Sequence, residues 1–170
     1  MFPTWDLVIT IVFLVISGYN FILQRERITK LIIAAYIGLA IALIWGGSVV
    51  HFLGASSSLA QKLTESEPTM SSTRIGIFVI FTLLLTLKFE YNSVSKKSFG
   101  FISPIILILY SVLAALLILA SIFAFLDENT LLSLLPQSQL AEFIYHYQLW
   151  FFISPAVLLI ATGFLGKDHG

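Results

Sequence analysis

The chain has 170 residues, of which 58% are hydrophobic and only 11% are charged. Soluble domains carry about 25% charged residues, so this composition leaves too few charges to cover a water-facing surface of this size. The formal net charge is zero and cysteine is absent, which argues against nucleic-acid partners and excludes disulfides, thiolate catalysis and cysteine-based metal sites. The composition indicates an integral membrane protein.

Five apolar segments approach the ~20 residues that a helix needs to cross the hydrocarbon core of a bilayer. In chain order they are Trp5 to Leu23, Leu31 to Leu53, Ile75 to Phe89, Ile102 to Leu126 and Leu149 to Leu165. These runs are apolar on all faces, and backbone groups in lipid must be hydrogen-bonded within their own segment, so helices are predicted. The sequence thus predicts an all-α integral membrane protein, a single domain built as a bundle of about five transmembrane helices. A four-span alternative places the short fifth segment at the membrane surface.

The basic residues are divided unequally between the two sides of a five-span bundle. Seven share one side: Arg25, Arg27, Lys30, Lys88, Lys96, Lys97 and Lys167. Only Lys62 and Arg74 fall on the other side. Since loops rich in Lys and Arg stay in the cytoplasm, the asymmetry predicts an N-terminus outside and a C-terminus inside.

The connection before the last segment begins acidic, at Asp127, and then becomes amphipathic. We expect Pro136 to Tyr147 to form a short interfacial helix. Four of its side chains are expected against lipid: Leu140, Phe143, Ile144 and Tyr147.

Small side chains recur every four residues on the second segment, at Ala34, Gly38, Ala42 and Gly46. This spacing places them along one stripe of a helix, where a second helix can approach closely. Ser111 and Ala115 form a shorter copy on the fourth segment, and these two segments are expected to be neighbours. The pattern predicts a helix-packing interface, either with a helix of the same chain or with another subunit.

Gly46, Gly47 and Ser48 follow one another near the predicted outer end of the second segment. Adjacent glycines weaken a helix and predict a bend or a fraying end. The alternative is a broken helix that lines a binding site, as in some transporters.

Polar side chains near the predicted outer surface form one speculative cluster. Glu142 and His146 are four residues apart and would share a helix face, and His51 is expected at the same surface. A carboxylate and two imidazoles suit a transition metal or a pH sensor. The ordinary interpretation is the interfacial helix alone, so no metal or other cofactor is predicted.

The first 45 residues or so resemble the colicin V production family of small bacterial inner-membrane proteins. The matching features are Asp6 near the N-terminus, Gly18 late in the first helix, and the pair Arg25-Glu26 before a second helix rich in small residues. Leu23 and Gln24 stand where that family has a glycine before the basic pair, a fifth apolar segment exceeds the family's usual four, and nothing distinctive matches after Ser48. The resemblance implies a non-enzymatic protein of secretion or envelope homeostasis.

These observations favour a non-enzymatic, multi-pass protein of the cell membrane, with the bacterial inner membrane as its expected location. No nucleophilic, zinc-binding or phosphate-binding motif is present. The expected partners are membrane lipids and either other membrane subunits or further copies of the chain, and the expected role is assembly or scaffolding of a complex. The alternative is a channel or transporter for a neutral or weakly polar solute; the absence of ionisable residues near the middle of any span argues against a proton-coupled one.

Overall fold

The computed structural model describes residues 5–22, 25–55, 70–91 and 104–165. All the regular elements in these ranges are helical, so the prediction of an all-helical chain is confirmed. They are α1 (Trp5–Ile22), α2 (Arg25–Ala55), α3 (Met70–Tyr91), α4 (Pro104–Phe125), α5 (Glu128–Leu134), a 3₁₀ turn (Leu135–Gln137), α6 (Gln139–His146) and α7 (Gln148–Leu165).

Four of the described helices, α1 to α4, are long and apolar enough to cross a membrane. The pair α6 and α7, which is bent by 61°, supplies a fifth span if it is counted as one. A bundle of four or five apolar helices, compatible with a membrane, is therefore confirmed. Lys62, Lys96, Lys97 and Lys167, on which the predicted charge asymmetry partly depends, lie outside the described residues.

Two helices begin earlier than their apolar runs. The basic connection expected before the second span is helical from Arg25 onward, because Arg, Glu and Lys are good helix formers. Likewise α3 begins at Met70, and its polar first turn lengthens the short apolar run that starts at Ile75.

Long helices that follow one another in the chain run antiparallel. In the α2–α3 pair, Gly46 lies against Arg74 and Gly38 lies against Thr82, so the end of α2 meets the start of α3. We call the end of the bundle that holds Asp6 the Asp6 end, and the opposite end, which holds Lys88, the Lys88 end. The starts of α1, α3 and α7 and the ends of α2 and α4 lie at the Asp6 end.

The last helix, α7, runs back along α4. Near the Asp6 end, the Gln148 side-chain amide donates to the carbonyl of Ala120 at 2.9 Å. Further along, the Tyr110 hydroxyl donates to the carbonyl of Leu158 at 3.4 Å. These two bonds fix α7 beside α4 over much of the length of α4.

The centre of the bundle is filled by large apolar side chains from α2, α3 and α4. Those that are almost fully buried are Ile28, Ile32, Phe78, Tyr110, Leu117 and Phe125. The rings of Phe78 and Phe125 are 5.8 Å apart and tilted, a favourable aromatic geometry. A second cluster joins α1, α4 and the segment from α5 to the start of α7 through Ile9, Leu119, Phe123, Leu134, Ile144 and Phe151.

Candidate functional site

The small-residue stripe of α2 is buried within the chain itself. Ala34, Gly38, Ala42 and Gly46 all lie in the interior. A Cβ atom added to Gly38 would stand 2.5 Å from Thr82 Oγ1 and 3.2 Å from the carbonyl oxygen of Phe78. The absence of a side chain therefore permits α2 and α3 to approach closely, and the partner at Gly38 is a helix of the same chain.

Gly46 forms a notch for an arginine. A Cβ atom there would stand 2.5 Å from Arg74 Cγ and 3.1 Å from Arg74 Nε. The helix continues without interruption through Gly46, Gly47 and Ser48 to Ala55, so the broken helix considered as an alternative is not present. We call the contact of α2 with Arg74, Phe78 and Thr82 the α2–α3 seam.

Ser111 and Ala115 are buried on α4, outside this seam. The Ser111 hydroxyl donates to the carbonyl of Ser17 on α1 at 2.5 Å, and Ala115 has no exposed surface. α4 does contact α2, but the polar bond of Ser111 joins α4 to α1.

At the Asp6 end, one carboxylate joins the first long helix to α6. The Asp6 Oδ1 atom accepts a hydrogen bond from the Ser138 hydroxyl at 2.5 Å and another from the Leu140 backbone N–H at 3.1 Å. Ser138 is also the N-cap of α6, since its Oγ accepts from the Ala141 N–H at 3.0 Å. Two of the N–H groups left free at the start of α6 are thus satisfied.

A second acid, Asp127, also joins two helices. Its side chain accepts from the backbone N–H of Thr130 at 3.2 Å and from the Thr130 hydroxyl at 2.9 Å, which caps α5. It also accepts from the Ser71 hydroxyl at 3.3 Å, at the start of α3. The bonds from Thr130, with a smaller contribution from Ser71, hold the pKa of the Asp127 carboxyl below its ordinary value. We call Asp6, Ser138, Asp127, Thr130 and Ser71 the polar rim.

The amphipathic helix α6 presents two different surfaces. Leu140, Phe143 and Tyr147 are exposed, and their contact with lipid stays a prediction. Ile144, which was expected against lipid, is buried instead with Ala141 against α1 and α4. One side of α6 is covered by the bundle because the hydrogen bonds from Ser138 and Leu140 to Asp6 hold its first turn against α1.

The speculative polar cluster is not assembled. His51, Glu142 and His146 are all exposed. Among the described residues, no three His, Cys, Asp or Glu side chains are grouped so that they could hold a metal ion. His146 instead stacks edge-on against Tyr147, with ring centroids 5.0 Å apart.

Three side chains contain buried polar atoms without a hydrogen-bond partner in the described structure. They are the amide of Asn20, the hydroxyl of Thr82 and the Nε of Arg74. Such atoms are costly in an apolar environment, and each requires an explanation. Neither Asn20 nor Arg74 could be recognised as a site from the sequence, because nothing local distinguishes a buried polar residue from one at a span end.

Comparisons of this chain with protein-family models, with curated proteins and with solved structures find no match. The resemblance to the colicin V production family therefore stays a prediction.

Proposed function

We propose that this chain is a five-span protein of the cell membrane that acts without catalysis, by assembling or scaffolding a membrane complex. The observation that carries the proposal is the filled interior. Phe78, Tyr110, Leu117 and Phe125 occupy the centre between the long helices, so the outer surface is the part of the bundle left for function. If the family resemblance holds, the complex belongs to secretion or the bacterial envelope.

The position of α7 supports five spans over four. This helix has 18 residues, which corresponds to about 27 Å of length, close to the thickness of the hydrocarbon core. Its bonds to Ala120 and Tyr110 place it alongside a membrane-length helix, whereas a helix on the membrane surface would cross the bundle at its end. The 61° bend then leaves α6 at the interface.

Charge supports an orientation with the Asp6 end outside, and the tryptophans mark that end as a membrane–water interface. Arg27 and Lys30 begin α2 and Lys88 ends α3, so these cations lie at the Lys88 end, in agreement with the positive-inside rule. The three tryptophans of the chain lie toward the Asp6 end and are exposed: Trp5, Trp45 and Trp150. Tryptophan at this position is typical of a membrane–water interface.

The surface available for assembly is the exposed apolar face, because the small-residue stripe is used internally. Gly18 on α1 and Gly76 on α3 have open space where a Cβ would stand, with no atom within 4 Å. A glycine that faces outward permits close approach of a helix from another protein. These two positions are therefore the best probes of a contact between subunits.

The test is mild crosslinking in the native membrane, followed by purification and identification of the captured species. We expect a defined complex, either of several copies or with another membrane protein. Replacing Gly18 or Gly76 by Leu adds bulk outside the bundle, and we expect at least one of these variants to lose the complex while the chain stays folded. A chain that remains monomeric in all crosslinking conditions would contradict the proposal.

A channel or transporter for a neutral solute is the second candidate. The observation in its favour is the buried, unpartnered amide of Asn20 in α1, a polar group of the kind that contacts a permeating solute. Flux across proteoliposomes that disappears on replacing Asn20 by Leu would favour this candidate. No flux for a broad panel of solutes would count against it.

A further inference from the structure

Arg74 is a cation held in a defined position within the α2–α3 seam. Its Cγ, Nε and Cδ atoms lie 2.5, 3.1 and 3.3 Å from the point where a Cβ of residue 46 would stand. The glycine therefore provides the room that the arginine stem occupies. Because folding already orders this long side chain, a ligand that binds it does not have to bear that entropy cost again.

The charge of Arg74 has no counter-ion among the described residues. Its Nε is buried and makes no hydrogen bond. The acid that follows α4 at the same end, Asp127, is already engaged by Thr130 and Ser71. An anion bound at this position would supply a partner for this charge.

The level of Arg74 along the helices indicates which class of anion would bind there. Trp45 precedes the Gly46 notch, is 57% exposed, and lies toward the same end as Trp5 and Trp150. Exposed tryptophans mark the level of lipid headgroups. In the five-span bundle proposed above, on which this inference rests, the guanidinium therefore lies at the depth of lipid phosphates.

We propose that Arg74, seated in the Gly46 notch, binds the phosphate of a phospholipid at the Asp6 end of the bundle. Guanidinium is suited to this ligand because its planar array of N–H groups matches two phosphate oxygens at once. The lipid would fill the outer end of the seam and supply the counter-ion that Arg74 lacks among the described residues.

The experiment counts phospholipids retained per chain by native mass spectrometry, with the full-length protein in mild detergent titrated with phosphatidylglycerol. We expect Arg74→Gln to weaken retention about tenfold, since a hydrogen bond to a charged group is of that strength. Arg74→Lys should weaken it less. The matched control is Lys88→Gln, which removes the same charge from the other end of α3 and should leave this site unchanged.

Gly46→Ala tests the geometry without removing the charge. The added methyl displaces the arginine stem, so we expect weaker retention from a chain that still folds. This variant also keeps the inference open to disproof if Arg74→Gln fails to fold.

Three results would overturn the inference: full retention in Arg74→Gln, an equal loss in Lys88→Gln, or displacement of the lipid by inorganic phosphate at comparable concentration, which would assign a free anion. A carboxylate-bearing protein crosslinked at residue 74 in place of lipid would also overturn it. Failure of the proposed function is distinguishable, because the chain would then stay monomeric on crosslinking while its lipid retention remained sensitive to Arg74→Gln.

Discussion

The carboxylate of Asp6 accepts a hydrogen bond from the hydroxyl of Ser138 at 2.5 Å, across 132 positions of the sequence. This bond ties the first turn of α1 to the N-cap of α6. It places the amphipathic helix on the rim of the bundle, where Ala141 and Ile144 become buried.

Replacing Ser138 by Ala should loosen α6 from the bundle. The variant loses the N-cap of α6, at a cost of about 1 kcal/mol, and the donor that Asp6 accepts from. We expect faster amide hydrogen exchange across Gln139–His146, with little change in α2 and α3. Ser133→Ala is the control, because its exposed hydroxyl bonds only to the Thr130 carbonyl. Equal exchange rates in the two variants would contradict a specific role for the Asp6–Ser138 contact.

Replacing Gly38 by Ala should destabilise the α2–α3 seam. The new Cβ would stand 2.5 Å from Thr82 Oγ1, and overpacking of this kind typically costs about 1–3 kcal/mol. The matched control is Gly76→Ala, which meets no atom within 4 Å and should be neutral or slightly stabilising, because alanine favours helix. Unfolding in SDS measures both variants.

The same clash should be partly relieved by Thr82→Ala. The double variant, Gly38→Ala with Thr82→Ala, is expected to be more stable than the sum of the single changes allows, since the two side chains share one space. If the stability changes of the two single variants simply added, the clash at Gly38 would be relieved by movement of other atoms rather than by the loss of the Thr82 hydroxyl.

Replacing Tyr36 by Phe should weaken the packing of α2 against α7 and lower the stability of the bundle. The Tyr36 hydroxyl donates to the carbonyl of Phe152 at 2.5 Å, which joins α2 to α7. Bonds between membrane helices contribute about 0.6 kcal/mol on average and up to about 1.7, and we expect a loss in this range. Tyr19→Phe, at a residue that is 62% exposed, is the control and should leave stability in SDS unchanged.

The contribution of Asp127 should depend on pH in one direction. Hydrogen bonds from Thr130 and Ser71 lower its pKa in the folded state from an ordinary value of 3.8. The ionised carboxylate therefore stabilises the fold above that value, and the benefit is lost as the pH falls from 3.8 through the lower, folded pKa. We expect the stability difference between the natural chain and Asp127→Asn to be constant near neutral pH and to shrink below about pH 4. A difference that shrinks well above this range would contradict the assignment.

The long helices could be predicted because lipid imposes one requirement on every spanning segment, and hydropathy records it directly. The stripe from Ala34 to Gly46 could also be predicted as a packing surface, because residues spaced four apart lie on one face of a helix. The partner of that stripe could not be predicted, because Thr82 and Arg74 sit in an apolar helix with no complementary pattern. The polar rim also escaped prediction, since Asp6 and Ser138 each look like an ordinary residue at a helix start.

The order in which these contacts can form follows from how far apart their partners lie in the sequence. Both partners of the α2–α3 seam precede residue 92, so all the residues of this hairpin are synthesised before those of α4. The Asp6 carboxylate gains its bond from Ser138 only after residue 138 has been synthesised. The start of α6 therefore joins one of the last parts of the chain to be synthesised to the first helix. Truncation before residue 138 would remove the hydrogen bonds that Asp6 accepts from Ser138 and Leu140.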